Sequence, residues 1–171
     1  MEDRRRRFEA QALPHLDAAY NLARWLSASP ADADDIVQDA MLRAFRAFDG
    51  FRGGDIRAWL LTIVRNCSRS FGAEVRRRAH APLPEEETAM ALASEDCDPE
   101  KTALQASEGR KLDVAIASLP PEFREVLILR EMEDMSYREI ADVTGAPIGT
   151  VMSRLARARA MLKAKWTEAR P

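Results

Sequence analysis

Four side chains near the C-terminus carry the clearest chemistry. Thr150, Ser153, Arg154 and Arg157 gather on one face of a segment whose other face is Val151, Leu155, Ala158 and Leu162. At about 100° per residue this pattern is an amphipathic helix with hydroxyls and guanidinium forks on its wet side. Such groups recognise rather than react. An Arg can pair with both acceptors of a guanine edge, and a Ser or Thr hydroxyl can donate or accept, so this face is suited to a major groove. Arg159 and Lys163 lie on the other flank, better placed for phosphates. The alternative is a basic helix packed on a bundle and otherwise solvated. A second polar set, Thr62, Asn66 and Arg69, belongs to a helix that closes with Arg76, Arg77 and Arg78. Its amide and guanidinium groups suit base edges or phosphates, although a basic helix end also simply complements the helix dipole.

Catalytic and metal chemistry find little support. Cys67 and Cys97 stand apart without CxxC spacing, and His15 and His80 make no cluster, so neither a metal nor a cofactor is expected. A nuclease would want carboxylates clustered with His or Lys in a pocket, whereas these acids are strung along helix faces and a linker. The expectation is a protein that is not an enzyme.

The elements that must position these groups are helical. Strand signals are scarce and apolar spacing is helical almost throughout, which predicts an all-α chain. Ser29 can cap a helix with Pro30 in its first turn and Asp32 at the positive end of the dipole. Its inner stripe is expected to be Val37, Met41, Ala44 and Phe48, with Asp35, Gln38, Asp39, Leu42 and Arg46 opposite. Leu42 within that polar face fits either a solvated surface or a protein contact. After a glycine-rich turn, a helix from about Ile56 to Arg77 groups Leu60, Ile63, Val64, Cys67 and Phe71 in one apolar sector, making Cys67 a core residue.

Further on, a helix from Asp98-Pro99-Glu100 reaches Leu119, and Pro120-Pro121 interrupts it before a buried helix over Glu122 to Glu133. Ser136 and Glu139 have capping-box spacing for a short helix that turns Ile140, Ala141 and Val143 inward. Gly145 supplies the tight turn, since a residue without a Cβ adopts the left-handed conformation cheaply. Ala141, Gly145 and Val151 therefore have the offsets of a helix-turn-helix whose last helix runs from about Pro147 to Lys165.

The formal net charge of -2 conceals segregation. Seven acids and one Lys lie between Pro84 and Lys101, while five bases and no acid lie between Gly149 and Trp166. The Pro- and Glu-rich middle has no sustained apolar stripe and reads as a flexible acidic linker over 80–98, between helical domains over 1–79 and 99–171. The 171 residues suffice for two small cores. The opening Met1-Glu2-Asp3-Arg4-Arg5-Arg6-Arg7 is not apolar, and no window nears the roughly 18 to 20 residues that span a bilayer, so a cytoplasmic protein without membrane insertion is expected.

Four segments in order carry a family resemblance: 34–40 (Asp-Asp-Ile-Val-Gln-Asp-Ala), 58–66 (Ala-Trp-Leu-Leu-Thr-Ile-Val-Arg-Asn), 119–126 (Leu-Pro-Pro-Glu-Phe-Arg-Glu-Val), and 136–141 with 149–155. Over about Leu13 to Trp166 the chain resembles the extracytoplasmic-function (ECF) group of bacterial sigma-70-type RNA polymerase sigma factors. The resemblance implies two helical domains, regions 2 and 4, and a factor that binds core RNA polymerase, reads the -10 and -35 elements of promoter DNA and assists melting. It implies that Asp35, Gln38, Asp39 and Leu42 dock on the polymerase clamp. Phe51 and Arg52, with Asn66, Arg69 and Ser70, would hold the -10 element once its bases unpair. Thr150, Ser153, Arg154 and Arg157 would read the -35 element, and an anti-sigma factor would be a regulatory partner. The chain departs from the family's pattern at Met152, where relatives usually carry Lys or Arg. The competing reading is an autonomous helix-turn-helix regulator, which would bind duplex DNA tightly without polymerase, usually at a palindromic site.

Overall fold

The Ser29 hydroxyl accepts the Asp32 N–H at 3.1 Å and so starts the helix Pro30–Ala47, with Pro30 at a position where its missing N–H costs nothing. Asp55 does the same for the helix that follows, accepting from the N–H groups of Arg57 and Ala58 at 2.8 and 3.3 Å. The computed structural model describes residues 2–80 and 101–168, the side chains of 101–106 excepted. Among these residues there are helices and no strand: α1 (Glu2–Ala12), α2 (Leu16–Leu26), α3 (Pro30–Ala47), α4 (Ile56–Ala79), α5 (Lys101–Ala117), α6 (Pro121–Glu131), α7 (Tyr137–Thr144) and α8 (Ile148–Glu168). Short 3-10 turns occupy Leu13–His15 and Phe48–Gly50. The acidic linker and the helix start expected at Asp98 lie outside the described residues, His80 apart.

In the N-terminal half, α2, α3 and α4 pack against one another. The buried stripe of α3 is Ala33, Ile36, Val37, Ala40 and Ala44, rotated from the expected one; Phe48 is buried just beyond the helix and Met41 only partly. The rotation follows from α3 having neighbours on two sides, which widens its apolar sector toward Ile36 and Ala40. Phe8 of α1 closes the end of this core edge-to-face on Phe45 and Phe48, each at 5.3 Å between centroids.

In the C-terminal half, α6 packs on both α7 and α8. Val126, Leu127, Ile128 and Leu129 are all buried, consecutive residues that cannot share one face. The second face of α6 lies on α2, and α7 lies on α4, so the two halves pack directly together. For this reason α4 buries Leu61, Arg65 and Ser68 in addition to the expected Leu60, Val64 and Cys67.

Polar bonds tie the halves. Arg65 of α4 donates from Nε and Nη2 to the Glu125 carboxylate of α6, at 2.8 and 3.0 Å, with both side chains under a tenth exposed. Arg124 donates to the carbonyls of Trp25, Ala117 and Leu119, joining α2 to the turn before α6. Burial pulls its guanidinium below the ordinary Arg value, and its Nε has no partner. Asn21 and Arg57 both reach Glu133, through its carboxylate at 2.7 Å and its carbonyl at 2.9 Å respectively.

Candidate nucleic-acid and protein interfaces

The helix-turn-helix is fixed locally at both ends of α7. Ser136 Oγ accepts from the Glu139 N–H at 3.2 Å while the Glu139 carboxylate accepts from the Ser136 N–H at 2.6 Å, the reciprocal box expected from the spacing. That backbone bond, more than any other contact, holds the Glu139 carboxyl below the ordinary carboxylate range. At the other end Gly145 has φ 68° and gives its N–H to the Ala141 carbonyl at 2.8 Å. A Cβ there would touch nothing within 4 Å, so the demand for glycine comes from the backbone alone. Gly145→Ala is therefore expected to cost about 1 to 2 kcal/mol of stability, the left-handed penalty of a residue with a Cβ. A urea midpoint equal to that of the parent chain would show that the turn relaxes.

The turn sets α8 with Val151, Leu155 and Ala158 buried and Leu162 half-buried, which leaves Ser153 and Arg157 exposed and Thr150 and Arg154 partly so. Neither Arg154 nor Arg157 forms an ion pair among the described residues. The two flanking bases differ. Lys163 is exposed, but Arg159 is held by Glu131 of α6 through Nε at 3.1 Å and Nη2 at 2.6 Å. A phosphate would have to displace that carboxylate, which weakens the expected role of Arg159.

The second polar set lies on α4 and the loop before it. Asn66, Arg69 and Ser70 are exposed, whereas Thr62 returns its hydroxyl to the Ala58 carbonyl at 2.8 Å. The Phe51 ring leans on Trp59 at 5.0 Å and 42°, and Arg52 is exposed beside Gly53 and Gly54, both with positive φ. Trp59 and Thr62 line a hollow of about 440 Å³ under this loop, and Asp142 of α7 forms part of its wall. Trp59 belongs to the 58–66 segment but was not expected at this site; Asp142 had no sequence signal, since α7 meets this loop only through the packing of the halves.

Packing also brings the two polar faces together. Arg65 and Arg69 of α4 share a hollow of about 530 Å³ with Thr150 and Arg154 of α8, and the acids Glu122 and Glu125 line it too.

The third surface is the outer face of α3. Asp35, Gln38 and Leu42 are exposed, Leu42 by 56%, while Asp39 is half-buried and accepts from Arg43 Nε at 2.9 to 3.1 Å. Leu42 and Gln38 form one rim of an apolar groove of about 840 Å³. Its other wall is Phe8, Leu13, Leu16 and Tyr20, which sequence reasoning did not single out; they come from two helices and the turn between them, so no single helical period links them. Cys67 lies behind α3, where burial pushes its thiol up to about 11, in keeping with an inert core residue. Among the described residues there is no group of His, Cys, Asp and Glu able to hold a metal ion, and no helix long and apolar enough to cross a membrane.

Comparison with known proteins gives these surfaces a common context. The family described as Sigma-70 region 2 matches residues 13–80, and that described as Sigma-70, region 4 matches residues 109–162. The chain is 37% identical over 152 residues to the ECF RNA polymerase sigma factor SigE of Mycolicibacterium smegmatis, covering 87% of this chain and 57% of that protein. It is 38% identical over 155 residues to the ECF sigma factor EcfG of Rhodopseudomonas palustris, covering 90% of this chain and 80% of that one. With the ECF sigma-E factor of Escherichia coli it shares 34% over 134 residues, covering 75% and 70%. Among solved structures, the sigma factor RpoE of Bartonella quintana in complex with the anti-sigma factor NepR aligns with TM-score 0.72 and 29% identity over 95% of this chain and 98% of that one. CnrH in complex with the cytosolic domain of CnrY aligns with TM-score 0.67 and 27% identity, over 97% and 91%.

Proposed function

Because the chain belongs to the ECF family of RNA polymerase sigma factors, we propose that it is a promoter-specificity factor, which binds core RNA polymerase in the cytoplasm, reads -35 and -10 elements and assists melting without performing chemistry itself. The observation that carries this reading is the coexistence, in one chain, of a helix-turn-helix reading face and a separate polar face on α4, with an exposed Leu on a third surface. An autonomous regulator needs only the first.

The roles follow from the chemistry of each face. Residues 1–79 act as the region 2 domain and 99–171 as the region 4 domain, with 80–98 as the linker. On α8, Thr150, Ser153, Arg154 and Arg157 enter the major groove at the -35 element, and Lys163 meets a phosphate. On the first half, Asn66, Arg69 and Ser70 with Phe51 and Arg52 hold unpaired bases of the -10 element, for which an aromatic ring and exposed donors beside a glycine-rich loop are suitable. Asp35, Gln38, Asp39 and Leu42 dock on polymerase. The likeness to sigma factors seen with anti-sigma factors supports a protein inhibitor of that kind for this chain as well.

The test is promoter-dependent initiation by core polymerase with and without the protein. Initiation only in its presence, with no tight duplex binding by the protein alone, is the expected result; tight binding to a palindromic duplex without polymerase would favour the autonomous regulator. In the reconstituted system Arg154→Ala is expected to weaken -35-dependent initiation by about 1 to 3 kcal/mol, the value of a bidentate base contact. Unchanged promoter preference would remove Arg154 from the reading set.

A further inference from the structure

Two large apolar side chains are exposed on the helix assigned to the -35 element. Ile148 is 42% and Met152 51% exposed, one helical turn apart, and the exposed Ala156 continues the strip at the next turn. Neither Ile148 nor Met152 serves the core, since α8 is anchored by Val151, Leu155 and Ala158. The strip runs directly beside Ser153, so a groove that admits the Ser153 face also meets Met152. The Gly145 turn and the hydrogen bond from the Val151 N–H to the Pro147 carbonyl, at 3.0 Å, set the first turn of α8 and with it the direction this strip faces.

In the major groove the base-edge group that rewards an apolar contact is the C5-methyl of thymine; the others are hydrogen-bond donors and acceptors. We propose that Met152, backed by Ile148, reads a thymine methyl group in the -35 element, next to the polar edges taken by Ser153, Arg154 and Arg157. The proposal rests on the assignment of α8 as the -35 reader. An unbranched thioether side chain suits the task, because it can follow the methyl and remain in contact with it. It also adds no positive charge, so this flank of α8 contributes specificity without adding to the salt-sensitive hold on phosphates.

The experiment uses the full chain with core polymerase. Promoters are first recovered by selection from templates randomised across the -35 element, and each thymine in the selected element is then replaced by deoxyuridine, which lacks only the 5-methyl group. One replacement is expected to lower open-complex formation about fourfold, the worth of one buried methyl group. With Met152→Ala that replacement should have little further effect. Met152→Lys should lose the thymine preference and show a steeper fall of binding with salt, by roughly one unit of log-log slope. An element without a selected thymine, or a deoxyuridine effect equal in the parent and Met152→Ala proteins, overturns the proposal while leaving -35 reading intact. A failure of any -35-dependent initiation overturns the functional reading, and the proposal with it.

Discussion

Removing the Glu125 carboxylate is expected to destabilise the folded chain by about 3 to 5 kcal/mol, the cost of leaving a buried guanidinium without its partner. Arg65 and Glu125 meet in two hydrogen bonds across the junction of the halves, with side chains only 9% and 7% exposed. In Glu125→Ala the Arg65 charge would keep its burial and lose its compensation, so the relief available to the chain is to part α4 from α6. The measurements are a urea midpoint together with the radius of gyration from solution scattering: the midpoint should fall and the radius rise. Replacing the pair as Arg65→Met with Glu125→Leu distinguishes a lost charge partner from lost packing, because apolar substitutes of similar volume commonly match or exceed a buried ion pair. The double variant should recover most of the stability. A double variant as unstable as Glu125→Ala would show that packing geometry, not charge, holds the junction.

The same junction bears on promoter binding. Arg69 and Arg154 line one hollow, so the faces assigned to the two elements look toward each other. Elements roughly 25 base pairs apart are roughly 85 Å apart on duplex DNA at about 3.4 Å per pair. On the proposed assignment of the two faces, a hollow of about 530 Å³ does not span that distance, so engaging both elements at once would require the halves to separate. Glu122 and Glu125 line that hollow as well, but the ion pair formed there is Arg65 with Glu125, and among the described residues Arg69 and Arg154 form none.

Which of these features the sequence revealed follows from how far apart the cooperating residues are. The capping box of Ser136 and Glu139 and the turn at Gly145 were legible because each is settled within one or two helical turns. The inward positions of α8 were legible for the same reason. Arg65 was not, because an Arg between Val64 and Asn66 reads as a solvated residue until a carboxylate 60 positions away covers it. Leu61 and Ser68 were missed with it, since the linker gave no sign that α4 has a second neighbour. Arg159 shows the opposite case: its phosphate role was argued from its own helix, while Glu131, on α6, had no visible relation to it. Periodicity identifies a face; only the tertiary partner decides whether that face meets water, protein or DNA.

Leu42→Asp is expected to lower affinity for core RNA polymerase by about 30-fold or more while leaving the unfolding midpoint unchanged. The stability half of that expectation rests on exposure: Leu42 is 56% accessible, outside the buried stripe of Ala33, Ile36, Val37, Ala40 and Ala44, so the fold loses little when it becomes polar. The affinity half rests on its surroundings. Leu42 rims an apolar groove with Leu13, Leu16 and Tyr20, and Asp17, Asp34 and Gln38 supply a polar border. An apolar centre inside a polar rim is the arrangement in which single side chains account for about 2 kcal/mol or more of binding. Asp at this position removes the apolar contact and adds a charge that must be desolvated on docking, so its effect should exceed that of Leu42→Ala. Asp39→Ala should act more weakly, because the Asp39 carboxylate is already engaged by Arg43 and an exposed ion pair contributes little. Titration of fluorescent core polymerase with each variant checks the order, with circular dichroism and urea melts as the stability control. An affinity for Leu42→Asp equal to that of the parent chain would move the polymerase contact away from this face of α3.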